Sequence, residues 1–247
     1  MTPIISRRLT SNGISLLFED EDILVLDKPA PFLVLPDRFD AELPNLYTLL
    51  NELYGKMFTV HRLDKETSGV IVFAKTPEAH ALLSEQFTQH TVKKLYNAIV
   101  VGNYANPTGS INLPISEGRF GKMKVNFNNG REAVTNYTVI EALQGYALIE
   151  VTPQKGSTHQ IRVHLSEIQT PVLCDGIYGK GSNFFLSHIK LNYKIAGEEE
   201  HPLLSRTALH AASITFTHPT SKEEQTYSAP LPKDLNLVMK YLRKFCS

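Results

Sequence analysis

The sequence predicts an α+β fold, with a mixed, mostly antiparallel central sheet flanked by helices and loops around a cleft. Two observations predict it. Short apolar runs of strand length recur along the chain, some within hairpin reach of the next and others separated by segments of helical spacing. The composition, 42% apolar and 20% charged over 247 residues, is that of an ordinary soluble globular protein with an ample core. No repeat, low-complexity tract or linker interrupts the chain, so residues 1–247 are read as a single domain.

The elements follow in order. ISLLFED (14–20) and DILVLDKP (22–29) read as two strands around an acidic turn. In LPNLYTLLNELYG (43–55), Leu46, Leu49, Leu50 and Leu53 recur at helical spacing and Gly55 is the stop. The strand VIVFAK ends at Thr76, where Thr76-Pro77-Glu78 starts a helix with a cap, a fixed φ and an acid facing the dipole. That helix is expected to bury Leu82, Leu83 and Phe87. KLYNAIVVG (94–102) returns as a strand, and AVTNYTVIEAL and YALIEVTP form a hairpin across Gln144-Gly145. In THQIRVHLSEI (158–168), Ile161, Leu165 and Ile168 make a helical stripe, capped by Ser157 or Thr158 and ended by Thr170-Pro171. Residues 179–206, with FFLSHIKLNY and the acidic GEEEH, read as an inserted hairpin and loop. LHAASITFTHP is a further strand, and 233–245 a closing helix with Leu235, Val238, Met239 and Leu242 inside.

Charge and cysteine usage narrow the class. The formal net charge is zero, so any basic surface is local; Lys93–Lys94, Lys122 with Lys124, and Arg243–Lys244 are the candidates. Cys174 and Cys246 lie far apart without a CxxC, which indicates neither a disulfide framework nor a zinc knuckle. The N-terminus lacks the apolar core of a signal peptide, and no run approaches the roughly 18 apolar residues of a membrane span. A cytoplasmic protein without a membrane partner is expected.

The chemistry concentrates in HRLDKETSGVIVFA (61–74), where Arg62, Asp64, Thr67 and Ser68 crowd the mouth of an apolar strand. An isolated RLD tripeptide would mean an ion pair or a turn cap, but this run is long and other segments support it. Metal binding fits poorly: of the nine histidines, His159 and His164 are five apart, and His61, His210 and His218 have no acidic or thiol neighbours at ligand spacing. No GxSxG elbow is present, and GIYGKG (176–181) has neither Walker nor dinucleotide spacing. What remains is Asp64 as nucleophile or base beside an arginine, with a second arginine in the polar helix THQIRVH. A carboxylate attacks carbon directly, which needs no metal and no cofactor.

These blocks resemble the RluA-type pseudouridine synthases. HRLDKETSGVIVFAK matches that family's HRLDxxTSG motif, its apolar strand and Ala-Lys. LDKP (26–29) resembles its early Lys-Pro element, KLYNAIVVG its KxYxAxVxG strand, and GSTHQIRVHL its GRTHQIRVHL segment. PVLCDGIYG is similar to PIxGDxxYG, and LHAASITFTHP to LHAxxLxFxHP. The resemblance implies the pseudouridine synthase fold and conversion of uridine to pseudouridine in ribosomal or transfer RNA, without cofactor or metal, by a monomer.

Carried over residue by residue, the resemblance implies Asp64 as the nucleophile, Tyr96 as a platform for the flipped base and an aid to proton removal from carbon-5, and Arg162 as the partner of Asp64. Leu209 is implied to wall the uracil pocket, and Arg62 to fill the gap left by the flipped nucleotide. Thr67, His159 and Gln160 complete the expected substrate contacts. Ser157 stands where the family segment has arginine, which bears on RNA grip more than on chemistry. The chain begins within about two dozen residues of its Lys-Pro element, which implies the form without an extra N-terminal RNA-binding domain. The alternatives are a catalytically silent RNA-binding or ribosome-assembly factor on the same fold, and a metal-free hydrolase using Asp64.

Overall fold

Local capping and apolar alternation set the first elements. The computed structural model describes residues 3–194 and 199–247, and the chain divides into two compact units: Met1–Lys94 with Ala211–Pro230, and Leu95–His210 with Leu231–Ser247. The first begins with helix α1 (Pro3–Ser11), for which no sequence signal was read, and continues into the expected antiparallel pair β1 (Ser15–Glu19) and β2 (Ile23–Lys28). Helix α2 (Leu46–Tyr54) starts where the Asn45 side chain accepts from the Thr48 N–H at 2.9 Å. The short β3 (Phe58–Thr59) pairs with β4 (Ser68–Ala74), every residue of which is buried. Helix α3 (Pro77–Thr88) has the cap its sequence announces, Thr76 Oγ1 accepting from the Ala79 N–H at 3.1 Å. Its inward stripe is Ala79, Leu83 and Phe87, spaced by four. Leu82 was expected in that stripe, but lies off it and is 37% exposed.

The second unit carries β5 (Lys93–Val101) from Leu95 onward, β6 (Thr108–Asn112), β7 (Ile115–Glu117), β8 (Met123–Val125), β9 (Val134–Leu143) and β10 (Tyr146–Pro153). Its sheet runs β5-β10-β9-β6 with antiparallel neighbours, and β7 and β8 form a separate hairpin. Helix α4 (Gln160–Glu167) is buried from Gln160 through Leu165, far more than one stripe, because it packs against β9 and β10 and also against β8. Its expected Ser157 or Thr158 cap is not formed. His159 occupies the cap position with φ +54°, and the Gln160 Oε1 accepts from the N–H groups of Gly156 and Ser157 instead. In the 179–206 stretch the described residues form a 3₁₀ turn at Leu186–His188 and one antiparallel bridge between Phe184 and Leu204; residues 195–198 lie outside the described residues.

Strand β11 (Leu209–Thr217) starts in the second unit and runs into the first, whose order is β1-β2-β4-β11, with β12 (Glu224–Ser228) on β11. Helix α5 (Lys233–Phe245) closes the second unit and buries Leu235, Val238, Met239 and Leu242 as expected. The fold is α+β with mostly antiparallel pairing, as the sequence predicts. Among the described residues, no helix is long and apolar enough to cross a membrane.

One glycine shows how closely β4 and β11 approach. Gly69 has φ +113°, and a Cβ there would meet the Ala211 backbone nitrogen at 2.7 Å. Gly69→Ala is therefore expected to lose about 2–6 kcal/mol, from backbone strain and overpacking together. Urea unfolding checks this, and a loss below 1 kcal/mol would mean that β11 gives way easily.

Candidate active site

The loop before β4 is pinned by a buried lysine. Lys28 ends β2 opposite Gly69, and its side chain is 0% exposed. Its ammonium donates to the carbonyls of Pro29 at 2.9 Å, Phe32 at 2.8 Å and Lys65 at 3.2 Å. The Lys65 carbonyl also accepts from the Phe32 N–H at 2.9 Å, and the Asp64 carbonyl from the Thr67 N–H at 3.1 Å. Asp64 thus sits on a short turn bound on both flanks, its side chain partly exposed while Leu63, Thr67 and Ser68 are buried. Arg62 is exposed. Lys28 was read only as part of a Lys-Pro element; a lysine closing an apolar strand, ILVLDK, was the signal for its burial.

His61 is held neutral beside this loop. Its Nε2 accepts from the Val72 N–H at 3.1 Å, and its ring stacks on Phe87 at 4.8 Å. Burial, reinforced by the Lys94 charge, pushes its pKa down to about 3. A value lowered on folding means that the unfolded chain takes up the proton first. The associated stability is complete above the ordinary 6.5 and is lost as pH falls from there toward about 3. Burial lowers His164 as well, its Nδ1 bonded to Thr135 Oγ1 and its Nε2 to the Leu113 carbonyl, each at 2.9 Å. Unfolding free energy is expected to fall below pH 6.5, by up to about 1.4 kcal/mol per pH unit for each histidine. His61→Gln keeps an acceptor for Val72 and should flatten that slope in urea titrations at pH 4.5 to 7.5; an unchanged slope would assign the acid sensitivity elsewhere.

The second unit holds the other expected residues. Tyr96 lies on β5 opposite Val151, partly buried, and Leu209 is buried at the start of β11. Arg206 steadies that start: it grips Asp234 through Nε at 2.6 Å and Nη2 at 3.0 Å, while Nη1 donates to the Leu209 carbonyl at 3.4 Å. Gln160 is 2% exposed, its amide nitrogen donating to the Val134 carbonyl and Thr135 Oγ1, so its side chain shapes the 156–160 turn. Arg162 is clasped by Asp175, Nε to Oδ2 at 2.7 Å and Nη2 to Oδ1 at 2.8 Å. This bidentate contact fixes the guanidinium plane and the direction of its Nη1 edge. Burial raises the Asp175 carboxyl, but the Arg162 hydrogen bonds and charge, with the N–H groups of Tyr178 and Ile177, outweigh it and hold the pKa below the usual value.

Asp175 and Tyr178 lay unassigned in the PVLCDGIYG block; an acid between apolar residues and a tight turn was their signal. Cys174 in the same block takes φ +59°, at the position where the family segment has glycine.

One group among the described residues has metal-ligand geometry, Asp20, Asp22 and His218, which chain folding and not sequence spacing brings together. Its atoms are already engaged. His218 Nδ1 accepts from the N–H groups of Thr220 and Ser221, so Nε2 carries the proton and donates to Asp20 at 2.8 Å. Asp20 Oδ1 accepts from the N–H groups of Asp22 and Ile23. This is a structural knot between the β1–β2 and β11–β12 turns.

A family model described as RNA pseudouridylate synthase matches residues 22–167. The ribosomal large subunit pseudouridine synthase D of Zymomonas mobilis subsp. mobilis is 36% identical over 241 residues, covering 93% of this chain and 73% of the relative. The protein of the same name from Xanthomonas campestris pv. campestris is 34% identical over 247 residues, covering 94% and 70%. Among solved structures, human RNA pseudouridylate synthase domain containing 4 is similar with a TM-score of 0.71 at 26% identity, covering 97% of this chain and 96% of that one. Nothing in these likenesses favours a catalytically silent factor. The chain belongs to the RluA-type RNA pseudouridylate synthase family, and its reaction is the isomerisation of uridine to pseudouridine in RNA.

Proposed function

We propose that Asp64 is the nucleophile of this isomerisation and that the substrate is a uridine of large-subunit ribosomal RNA. The observation that carries the first part is a carboxylate presented on a turn pinned by buried Lys28 at the mouth of a fully buried strand. The ribosomal large subunit pseudouridine synthases of Zymomonas and Xanthomonas, which this chain resembles, support the second. Asp64 either adds to C6 of the uracil ring or displaces N1 at the ribose anomeric carbon; the N1–C1′ bond breaks, the uracil rotates, a C5–C1′ bond forms, and the bond to Asp64 breaks so that the carboxylate is returned. The proton leaves C5 and N1 gains one, so atoms balance without an added reagent.

The uridine is flipped out to reach the carboxylate, at roughly a few kcal/mol, least in a loop. Tyr96 stacks on the base, returning about 1–3 kcal/mol. Arg162 is the partner that orients the nucleophile. Arg62 fills the vacated stack, Leu209 and Thr67 wall the uracil, His159 contacts the RNA, and Gln160 maintains the turn that presents His159. Residues 1–247 act as a single catalytic domain and as a monomer in the cytoplasm, and RNA binding is salt-sensitive.

The test is the purified chain alone, given ribosomal and transfer RNA labelled with tritium at uracil carbon-5, together with pseudouridine maps from cells with and without the gene. Tritium release from large-subunit RNA and loss of one or more of its sites are expected. Release from transfer RNA alone would overturn the target, and no release at all would overturn the assignment of Asp64.

A further inference from the structure

We propose that Tyr178 is a positioning residue with two separable duties: its ring holds Arg162, and its hydroxyl seats His159 and the β7–β8 hairpin. The inference rests on the reading of Arg162 and His159 given above.

The Arg162 guanidinium lies over the Tyr178 ring at 5.2 Å, and the Lys122 ammonium over the same ring at 5.2 Å. Asp175 fixes the guanidinium edge-on, so the ring supplies the remaining restraint, along the normal to that plane. The tyrosine is itself locked. Its N–H donates to Asp175 Oδ1 at 3.1 Å, and its carbonyl accepts from Ser166 Oγ of α4 at 2.8 Å. Lys122 also donates to the neighbouring Ile177 carbonyl at 2.9 Å.

The hydroxyl performs a different task. Its oxygen accepts from the Met123 N–H on β8 at 2.9 Å, and it meets His159 Nδ1 at 2.9 Å. The bond couples the phenol to His159 Nδ1, with its direction set by the imidazole tautomer. His159 also holds φ +54°, an uncommon conformation for a residue other than glycine, and this bond restrains it. The hairpin held through Met123 carries Arg119, Lys122 and Lys124, in a chain whose net charge is zero. Ordinary packing against Ile115, Ala133 and Val163 explains why a ring is present, but not why the ring meets two cations while its hydroxyl bonds Met123 and His159.

Tyr178→Phe and Tyr178→Leu in the full chain separate the two duties. The readouts are the single-turnover rate at saturating unmodified large-subunit ribosomal RNA transcript, the Kd for that transcript, the ¹⁵Nε–H resonance of Arg162 (assigned with Arg162→Lys), and the melting temperature. Tyr178→Phe should weaken RNA binding about three- to tenfold, with the rate and the Arg162 resonance as in the natural chain. Tyr178→Leu should show the same loss of binding, shift the Arg162 resonance and speed its solvent exchange, and lower the rate at least tenfold. If both variants leave the Arg162 resonance unchanged, or if Phe and Leu lower the rate equally, the proposal is overturned. Should Tyr178→Leu not fold, natural binding by Tyr178→Phe overturns it alone. The resonance is read without turnover, so a natural chain that forms no pseudouridine would count against the Asp64 reading and leave this test intact.

Discussion

Asp64→Asn is expected to reduce pseudouridine formation at least about 10⁴-fold, the scale on which loss of a nucleophile acts in covalent catalysis. The substitution exchanges one carboxylate oxygen for an amide nitrogen of nearly the same size. The turn that carries the residue is closed by main-chain atoms, the Asp64 carbonyl to the Thr67 N–H and the Lys65 carbonyl to the Phe32 N–H, and none of these changes. Melting temperature and RNA affinity should therefore stay close to natural values while the rate disappears. Asp64→Glu retains the carboxylate but displaces it by about one methylene, and is expected to lose about 10²-fold, since a misplacement near 1 Å has that effect. Tritium release under single-turnover conditions measures both. More than one per cent residual rate in Asp64→Asn would reduce Asp64 to a residue that orients the substrate without attacking it.

The parts of this molecule that were legible in its sequence are those decided within a few residues. Thr76-Pro77-Glu78 starts α3 because cap, fixed φ and acid act within one turn, and the β9–β10 hairpin follows from two strand-length runs around Gly145. Strands β6 to β8 are three to five residues long and largely polar, so no periodicity marks them. The start of α4 misled for a different reason. Ser157 and Thr158 are good caps, but the Gln160 side chain takes the N–H groups of Gly156 and Ser157, and the chain turns through His159 instead. The motif around Asp64 announced chemistry because its polarity is gratuitous in a strand. The lysine that pins its loop was not announced, since Lys28 is separated from Lys65 by 37 residues.

Lys28→Met is the second large effect expected. Methionine keeps the length and apolar stem of the lysine, so packing against β4 survives, but it donates nothing. The carbonyls of Pro29 and Phe32 then lose the ammonium bond, while that of Lys65 keeps the Phe32 N–H. Two under-bonded carbonyls in a dry site cost about 1–3 kcal/mol each, offset in part because a buried charge no longer has to be desolvated. A net loss of roughly 2–4 kcal/mol follows, which lowers the melting temperature by about 5–15 °C in a chain of this size. The rate should fall as well, and for a reason separable from stability. Lys65 is the residue after Asp64, and a turn held by one bond where it had two samples more positions of the carboxylate. At 15 °C, where the variant is fully folded, a further loss of about 10–100-fold in single-turnover rate is expected, with RNA affinity unchanged. A variant that melts lower yet reacts at the natural rate would confine Lys28 to holding the strand mouth together. A variant that melts normally and reacts slowly would mean that water replaces the ammonium at the carbonyls but does not hold the turn.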